Sequence, residues 1–323
     1  MERASRPRRT APLIGALSAL ALVVGAAPAD ARELPDTYTV ATTAGVLPEG
    51  ITVHRDGTIY VTSDGTGTIY RGDVGHDRLE PLAADGATAR GTSLGIHTDE
   101  RGRVWSVGGD TLTVHTRNGR LLDTRTVAGG PLGPVDLNDL VITRDAVYVT
   151  DWANPVVHRA PITHGRVGVL RPWLDMTDVI PGFPSQYWLL NGIVADATGS
   201  TLLVASNGTE AVWRVDVASR GVEALHVDEP SFGPDGMVLR GRTLYAVLNY
   251  GARAGVYVAT LDRDLRSAHV TDRVYDDAAG RPFDVPTAVA PYGCRLYVTN
   301  SQIDHAPGTP PYTVSAVTDP TCS

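Results

Sequence analysis

Glu49, Asn138, Asn191 and Asp235 carry side-chain oxygens, and each stands one residue before the same point in four copies of one hairpin. Two carboxylates and two amide carbonyls brought together would hold a hard divalent cation. Calcium or magnesium is favoured, because zinc usually takes imidazole or thiolate and no histidine occupies the matching positions. Zinc stays open, since carboxylates also hold it. Taken singly, Asn138-Asp139, Asn191-Gly192 and Asp235-Gly236 read equally well as turn residues ahead of a strand. The shared slot in four copies is what points to a metal.

The elements that must position these groups form an array. Residues 189–207, LLNGIVADATGSTLLVASN, read as two short apolar strands around a tight turn. The same grammar recurs at 48–65, 94–109, 137–154, 234–251 and 286–302. Counted at Gly50, Gly95, Asp139, Gly192, Gly236 and Thr287, the steps are 45, 44, 53, 44 and 51 residues, the length of a four-stranded propeller blade. Helical periodicity of useful length is missing between the copies. The spacing predicts an all-β fold: a six-bladed β-propeller of four-stranded antiparallel blades. A β-sandwich repeats a motif less regularly.

Topology then gathers residues. In an antiparallel blade the start of the first strand and the end of the second share a face. That face receives Glu49, Asn138, Asn191 and Asp235, together with Asp64, Asp151, Asn207, Asn249 and Asn300. Trp152, Tyr187, Trp188 and Tyr250 flank the same mouth, where Trp152, Trp188 and Tyr250 could wall a small-molecule substrate; packing between blades accounts for them as well. Thr37–Thr43 lacks a partner in its own repeat and the last repeat ends after three strands near Val317, so first-with-last pairing is expected to close the ring. Cys294 and Cys322 fall together on the opposite face, where a disulfide is expected to staple the C-terminal tail.

The first 31 residues read as an export signal: an Arg-rich start, an apolar stretch and the small-residue site Ala29-Asp30-Ala31. The domain reading is therefore a signal peptide over 1–31 and a propeller over 32–323, with secretion and no membrane insertion after cleavage. All 28 basic residues are arginines, and the 36 acidic ones leave a formal charge of -8. That balance argues against a nucleic-acid partner. The lack of lysine excludes Schiff-base chemistry. Oligomeric state is left open.

The order and spacing of PEG at 48–50, LND at 137–139, LNG at 190–192 and PDGM at 234–237 resemble the SMP-30/gluconolactonase/LRE-like family of six-bladed propellers. The resemblance implies direct metal ligation by Glu49, Asn191 and Asp235, with Asn138 contacting the metal or the substrate and Asp235 doubling as general base. It implies a hydrolase in which the cation polarises a lactone or ester carbonyl while Asp235, or the nearby Asp151, takes a proton from attacking water. Sugar lactonases of this family often place an arginine two residues before the Asn138 position; here Asp136 stands there, which turns the expectation away from an aldonolactone. Two other readings stay in play: a non-catalytic binding module with a structural ion, and a strictosidine-synthase-like propeller with different channel chemistry.

The remaining signals are weaker. Gly91-Thr92-Ser93-Leu94-Gly95 matches a nucleophile elbow, but a propeller strand follows it where the elbow needs a helix. His54 and His97 lie on inner strands and read first as structural histidines.

Overall fold

The computed structural model describes residue 1 and residues 33–82, 91–180, 190–249 and 253–322. The expected signal segment, apart from Met1, lies outside them, as do Tyr187, Trp188 and Tyr250. Residues Leu34–Ser323 form one unit. Its strands assemble into six sheets, and among the described residues the only helical element is a 3-10 turn, Ile303–His305.

Each sheet is one repeat. The innermost strands are Pro48–Val53, Ile96–Thr98, Leu137–Ile142, Leu190–Ala195, Met237–Arg240 and Pro286–Tyr292, and each hairpins into a second strand. Neighbouring inner strands pack side by side around the ring, the sixth against the first. The second strands TIYVTS, AVYVTD and TLLVAS are buried at every residue, and those of the fifth and sixth blades at every residue but the first. Burial on both faces explains why they read as β-branched runs without polar alternation. At the turns joining first and second strands, Gly57 (φ +86) and Gly199 (φ +72) take a left-handed backbone that a side chain would strain.

Six hydrophobic clusters sit between consecutive blades, one for each of the six seams. The core is thus divided among the interfaces, and no blade has a core of its own. Closure follows the expectation. Thr37–Ala41 pairs antiparallel with Tyr312–Thr318 and completes the sheet that contains Arg295–Asn300 and the sixth inner strand. Tyr38 and Tyr297 meet across this sheet with ring centroids 5.6 Å apart.

Two blades depart from four antiparallel strands. The third, whose repeat step is 53 residues, carries an extra two-residue strand, Arg166–Val167, beside Val156–Thr163. The fifth gains a short parallel strand, His226–Val227, on Ser267–Val274. That segment continues the outer strand of the fourth blade, Val222–Ala224, beyond the buried Leu225, so one stretch of chain edges two blades. Cys294 and Cys322 form a disulfide, with Cα atoms 5.5 Å apart, where the sixth blade's second strand starts.

Candidate metal centre

The inner strands do not begin regularly. Pairing with the second strand slips between Pro48 and Ile51, Leu137 and Leu140, Leu190 and Ile193, and Pro286 and Val289. A slip of this kind re-aims side chains at the end of a sheet. Here it sits where Glu49, Asn138 and Asn191 lie, and Asp235 stands two residues before the fifth inner strand.

A girdle of hydrogen bonds joins the blades at this level, and it is built in two ways. In the second, fourth and fifth blades a glycine N–H donates directly to the next blade's carbonyl: Gly95 to Asn138 O (2.7 Å), Gly192 to Asp235 O (2.9 Å) and Gly236 to Thr287 O (2.8 Å). In the first, third and sixth blades a second-strand threonine intervenes. The hydroxyls of Thr62, Thr150 and Thr299 accept N–H groups of their own blade, from Gly50, Asp139 and Ala288. They donate onward to Leu94 O, Asn191 O (2.7 Å) and Glu49 O (3.2 Å) respectively. Direct contact demands glycine, since a Cβ on Gly192 would stand 2.2 Å from Asp235 O. Where the hydroxyl acts as spacer, Asp139 and Ala288 are accommodated.

The girdle carries the predicted set to one place. Glu49, Asn138, Asn191 and Asp235, each 5–7% exposed, line a single chamber on the channel axis. Its free volume of about 20 Å3 accommodates a water or an ion. Asp139 and His97 line it too. Sequence reasoning passed over both: Asp139 was only a counting point, and His97 was read as structural. The available signal was that Asp139 puts a carboxylate where four other repeats carry glycine. Asp139 accepts N–H groups from Leu140 (2.8 Å) and, across the seam, Ile193 (3.2 Å), while His97 Nε2 lies 3.5 Å from its Oδ1.

Negative charge in the chamber has little to offset it. The chain has no lysine, and among the described residues no arginine lines the chamber. Burial, reinforced by Asp235, Asp139 and Asp64, raises the Glu49 carboxyl well above the usual range. Burial also pushes Asp235 up to about 7; hydrogen bonds from Asn249 and Asn191 work against the rise, and Asp139 and Asp304 add to it. Among the described residues no hydrogen bond reaches the Glu49 carboxylate. Asn249 donates to Asp235 Oδ2, and the Oδ1 of that amide is buried without a partner. Asn191 donates to Asn207 Oδ1 (2.7 Å), whose own amide holds Gly233 O (3.0 Å).

Buried carboxylates lacking donors are stable only when a cation joins them or protons neutralise them. Oxygen-only donors around an ion-sized space fit a hard divalent cation. Among the described residues no three His, Cys, Asp or Glu side chains stand at metal-binding spacing, so the amides of Asn138 and Asn191 are needed to complete the set.

Other expected site residues lie elsewhere. Asp151 is not placed to serve the chamber: it is fully buried, and its Oδ1 takes the N–H groups of Asp136, Ala153 and Asn154 while Oδ2 faces Asn154 Nδ2 and His158 Nε2. Its work is to fix the loop before the third inner strand, because Asn154 also binds Leu132 N and Pro134 O. Asn300 is similarly engaged, with Asp284 N, Thr313 and Ser315. Asp64 accepts the Thr92 hydroxyl (2.7 Å). Trp152 is 38% exposed and does not line the chamber. Asp136, raised to about 6 by burial and then by Asp151 and Asp64, adds negative charge beside this region. Ser93, centre of the elbow-like pentapeptide, is buried and precedes the second inner strand, as expected.

Comparison with known proteins bears on the fold. Residues 32–72 match the family model described as strictosidine synthase-like, N-terminal. No curated protein sequence matches the chain. Among solved structures, the allergen Mala s 1 of Malassezia sympodialis superposes with a TM-score of 0.65 at 17% identity, covering 88% of this chain and 96% of that one. A gluconolactonase from Xanthomonas campestris gives 0.59 at 17% identity over 91% and 93%. The calcium-binding protein regucalcin from Agrobacterium tumefaciens gives 0.56 at 15% identity over 88% and 94%. At these identities the likeness is one of fold. The chain is a six-bladed β-propeller that resembles in fold the SMP-30/gluconolactonase/LRE-like proteins.

Proposed function

We propose that the protein is a metal-dependent hydrolase of a lactone or similar ester, with one divalent cation held by Glu49, Asn138, Asn191 and Asp235. The observation that carries this reading is the buried, donor-poor carboxylate of Glu49 facing Asp235 across a chamber of ion size. The gluconolactonase and the calcium-binding regucalcin, which share the fold, support calcium or magnesium and a lactone. The N-terminal Arg-rich and apolar segment and the disulfide support export.

A bound cation supplies a Lewis acid that polarises a carbonyl and lowers the pKa of water. The chain's own groups do the rest. Asp235 takes the proton of the attacking water, held in aim by the Asn249 amide, and returns it to the leaving oxygen as the ester bond breaks. Asn138, at the chamber wall, presents an amide to the substrate's oxygens. His97, beside Asp139 on the neighbouring inner strand, presents an imidazole edge to the same chamber. Asp136 near the mouth disfavours an anionic substrate.

The test is a panel of lactones and aryl esters assayed with calcium, magnesium or zinc, with and without chelator, against Asp235→Ala. Turnover that is lost on both chelation and substitution supports the reading; turnover indifferent to both refutes it. The narrowness of the chamber favours one alternative, a binding module whose ion is structural. In that case the metal raises Tm and nothing on the panel is turned over.

A further inference from the structure

On the side of the ring where the first and second strands turn, the fourth and fifth blades enclose a cleft of about 460 Å3. Four arginines converge on it: Arg214 from the fourth blade's third strand, Arg242 from the fifth blade's inner turn, and Arg263 and Arg266 from its outer turn. The protein as a whole is acidic, so this grouping departs from its average composition.

The arginines stand on a fixed frame. Leu265 is buried in the seam between the two blades and takes a left-handed backbone (φ +53), unusual for a leucine. Asp262 Oδ1 receives the N–H groups of Arg266 (2.7 Å) and Ser267 (3.2 Å). With the turn pinned at both ends, Arg263 and Arg266 are exposed on either side of the buried leucine. Arg214 Nε ties the same turn to the fourth blade through Asp264 O (2.9 Å).

The carboxylates nearby leave much of this charge unmatched. Arg214 and Arg266 share a single acid, Glu223. Asp196, on the wall, is occupied by its own turn, accepting Thr198, Ser200 and Thr201. Among the described residues Arg242 reaches only a backbone carbonyl, Leu261 O at 3.4 Å. Arg263 makes no ion pair or hydrogen bond among the described residues. Among the described residues Asp264 is the one lining acid whose carboxylate takes no hydrogen bond, and it is the group an incoming anion must outcompete.

Guanidinium groups offer paired N–H donors that match tetrahedral oxyanions, and a cleft of this size suits a small molecule. We propose that it binds a small ligand bearing a phosphate or sulfate group, with Arg242 and Arg263 as its principal contacts. This site is separate from the axial chamber and does not depend on the hydrolase reading.

The experiment is calorimetric titration of the full chain with inorganic pyrophosphate and, in a second arm, inorganic sulfate, at low and high sodium chloride. The wild type is expected to bind at least one anion saturably, more weakly as salt screens the arginines. Arg242→Gln combined with Arg263→Gln should weaken binding at least tenfold, and Asp264→Asn should tighten it several-fold. The two arms tell phosphate from sulfate. Absence of saturable binding of either anion to the wild type overturns the proposal, as does unchanged affinity in the double variant. Should that variant lose Tm, the Asp264→Asn arm decides, since a change in net charge alone would tighten binding equally in Glu80→Gln, an exposed position on the outer strand of the first blade.

Discussion

The proton balance of Asp235 gives a sharp prediction for the metal-free protein. Folding lifts this carboxyl from 3.8 to about 7, because it is buried beside other acids. In the unfolded chain it loses its proton near pH 4, whereas in the folded chain it keeps the proton up to about pH 7. Between these values the folded state binds more protons, so stability is greatest below pH 4 on this account and falls as pH rises, levelling off above 7. At about 1.4 kcal/mol for each pH unit the loss comes to about 4 kcal/mol. Glu49 is raised in the same direction and deepens the fall. Urea unfolding in chelator at half-unit steps from pH 5 to pH 8 measures it. Asp235→Asn needs no proton and should lose about 3 kcal/mol less than the wild type between pH 5 and pH 8, the part of the fall that lies inside this range. Saturating calcium should remove the fall in the wild type, since the ion binds the ionised form, and add about 2.7 kcal/mol at a hundred times Kd. A metal-free wild type whose stability is flat or rises across this range would refute the reasoning, as would an equal slope in Asp235→Asn.

Three further substitutions probe the frame. Gly192→Ala places a Cβ 2.2 Å from Asp235 O, so the seam between the fourth and fifth blades must open; a cost of about 1–3 kcal/mol in chemical denaturation and weaker calcium binding in calorimetry are expected. Thr150→Val removes the hydroxyl that joins Asp139 N to Asn191 O, and should cost about 2 kcal/mol while leaving the other seams intact in hydrogen exchange. Asp151→Asn should cost about 3 kcal/mol by disturbing a buried network, yet leave calcium affinity within about twofold, which separates its structural work from the chamber.

Much of this architecture can be read from the chain because a propeller repeats its local grammar. One slot, occupied by Glu49, Asn138, Asn191 and Asp235, is a place on the axis once the blade length is known. First-with-last closure was legible for the same reason: Thr37–Ala41 had no partner in its own repeat and the last repeat lacked a strand. What stayed hidden depends on side chains reaching across seams. Asp151 shares the slot logic of Asn207 and Asn249, but Asn154 and His158, off the repeat pattern, draw it into the wall. Asp139 looked like a turn residue because its tie to Ile193 N belongs to the next blade. The switch of chain from the fourth blade to the fifth at Leu225 leaves no periodic trace, since two-residue strands are shorter than any pattern that identifies them.

The carbonyl of Glu49 in the first repeat is grasped by Thr287 and Thr299 of the sixth. A nascent chain that has made five repeats therefore owns three of the four oxygen donors in order but still lacks the partner that sets the fourth. Affinity for the ion should emerge late and abruptly, only when the C-terminal repeat docks and the ring closes.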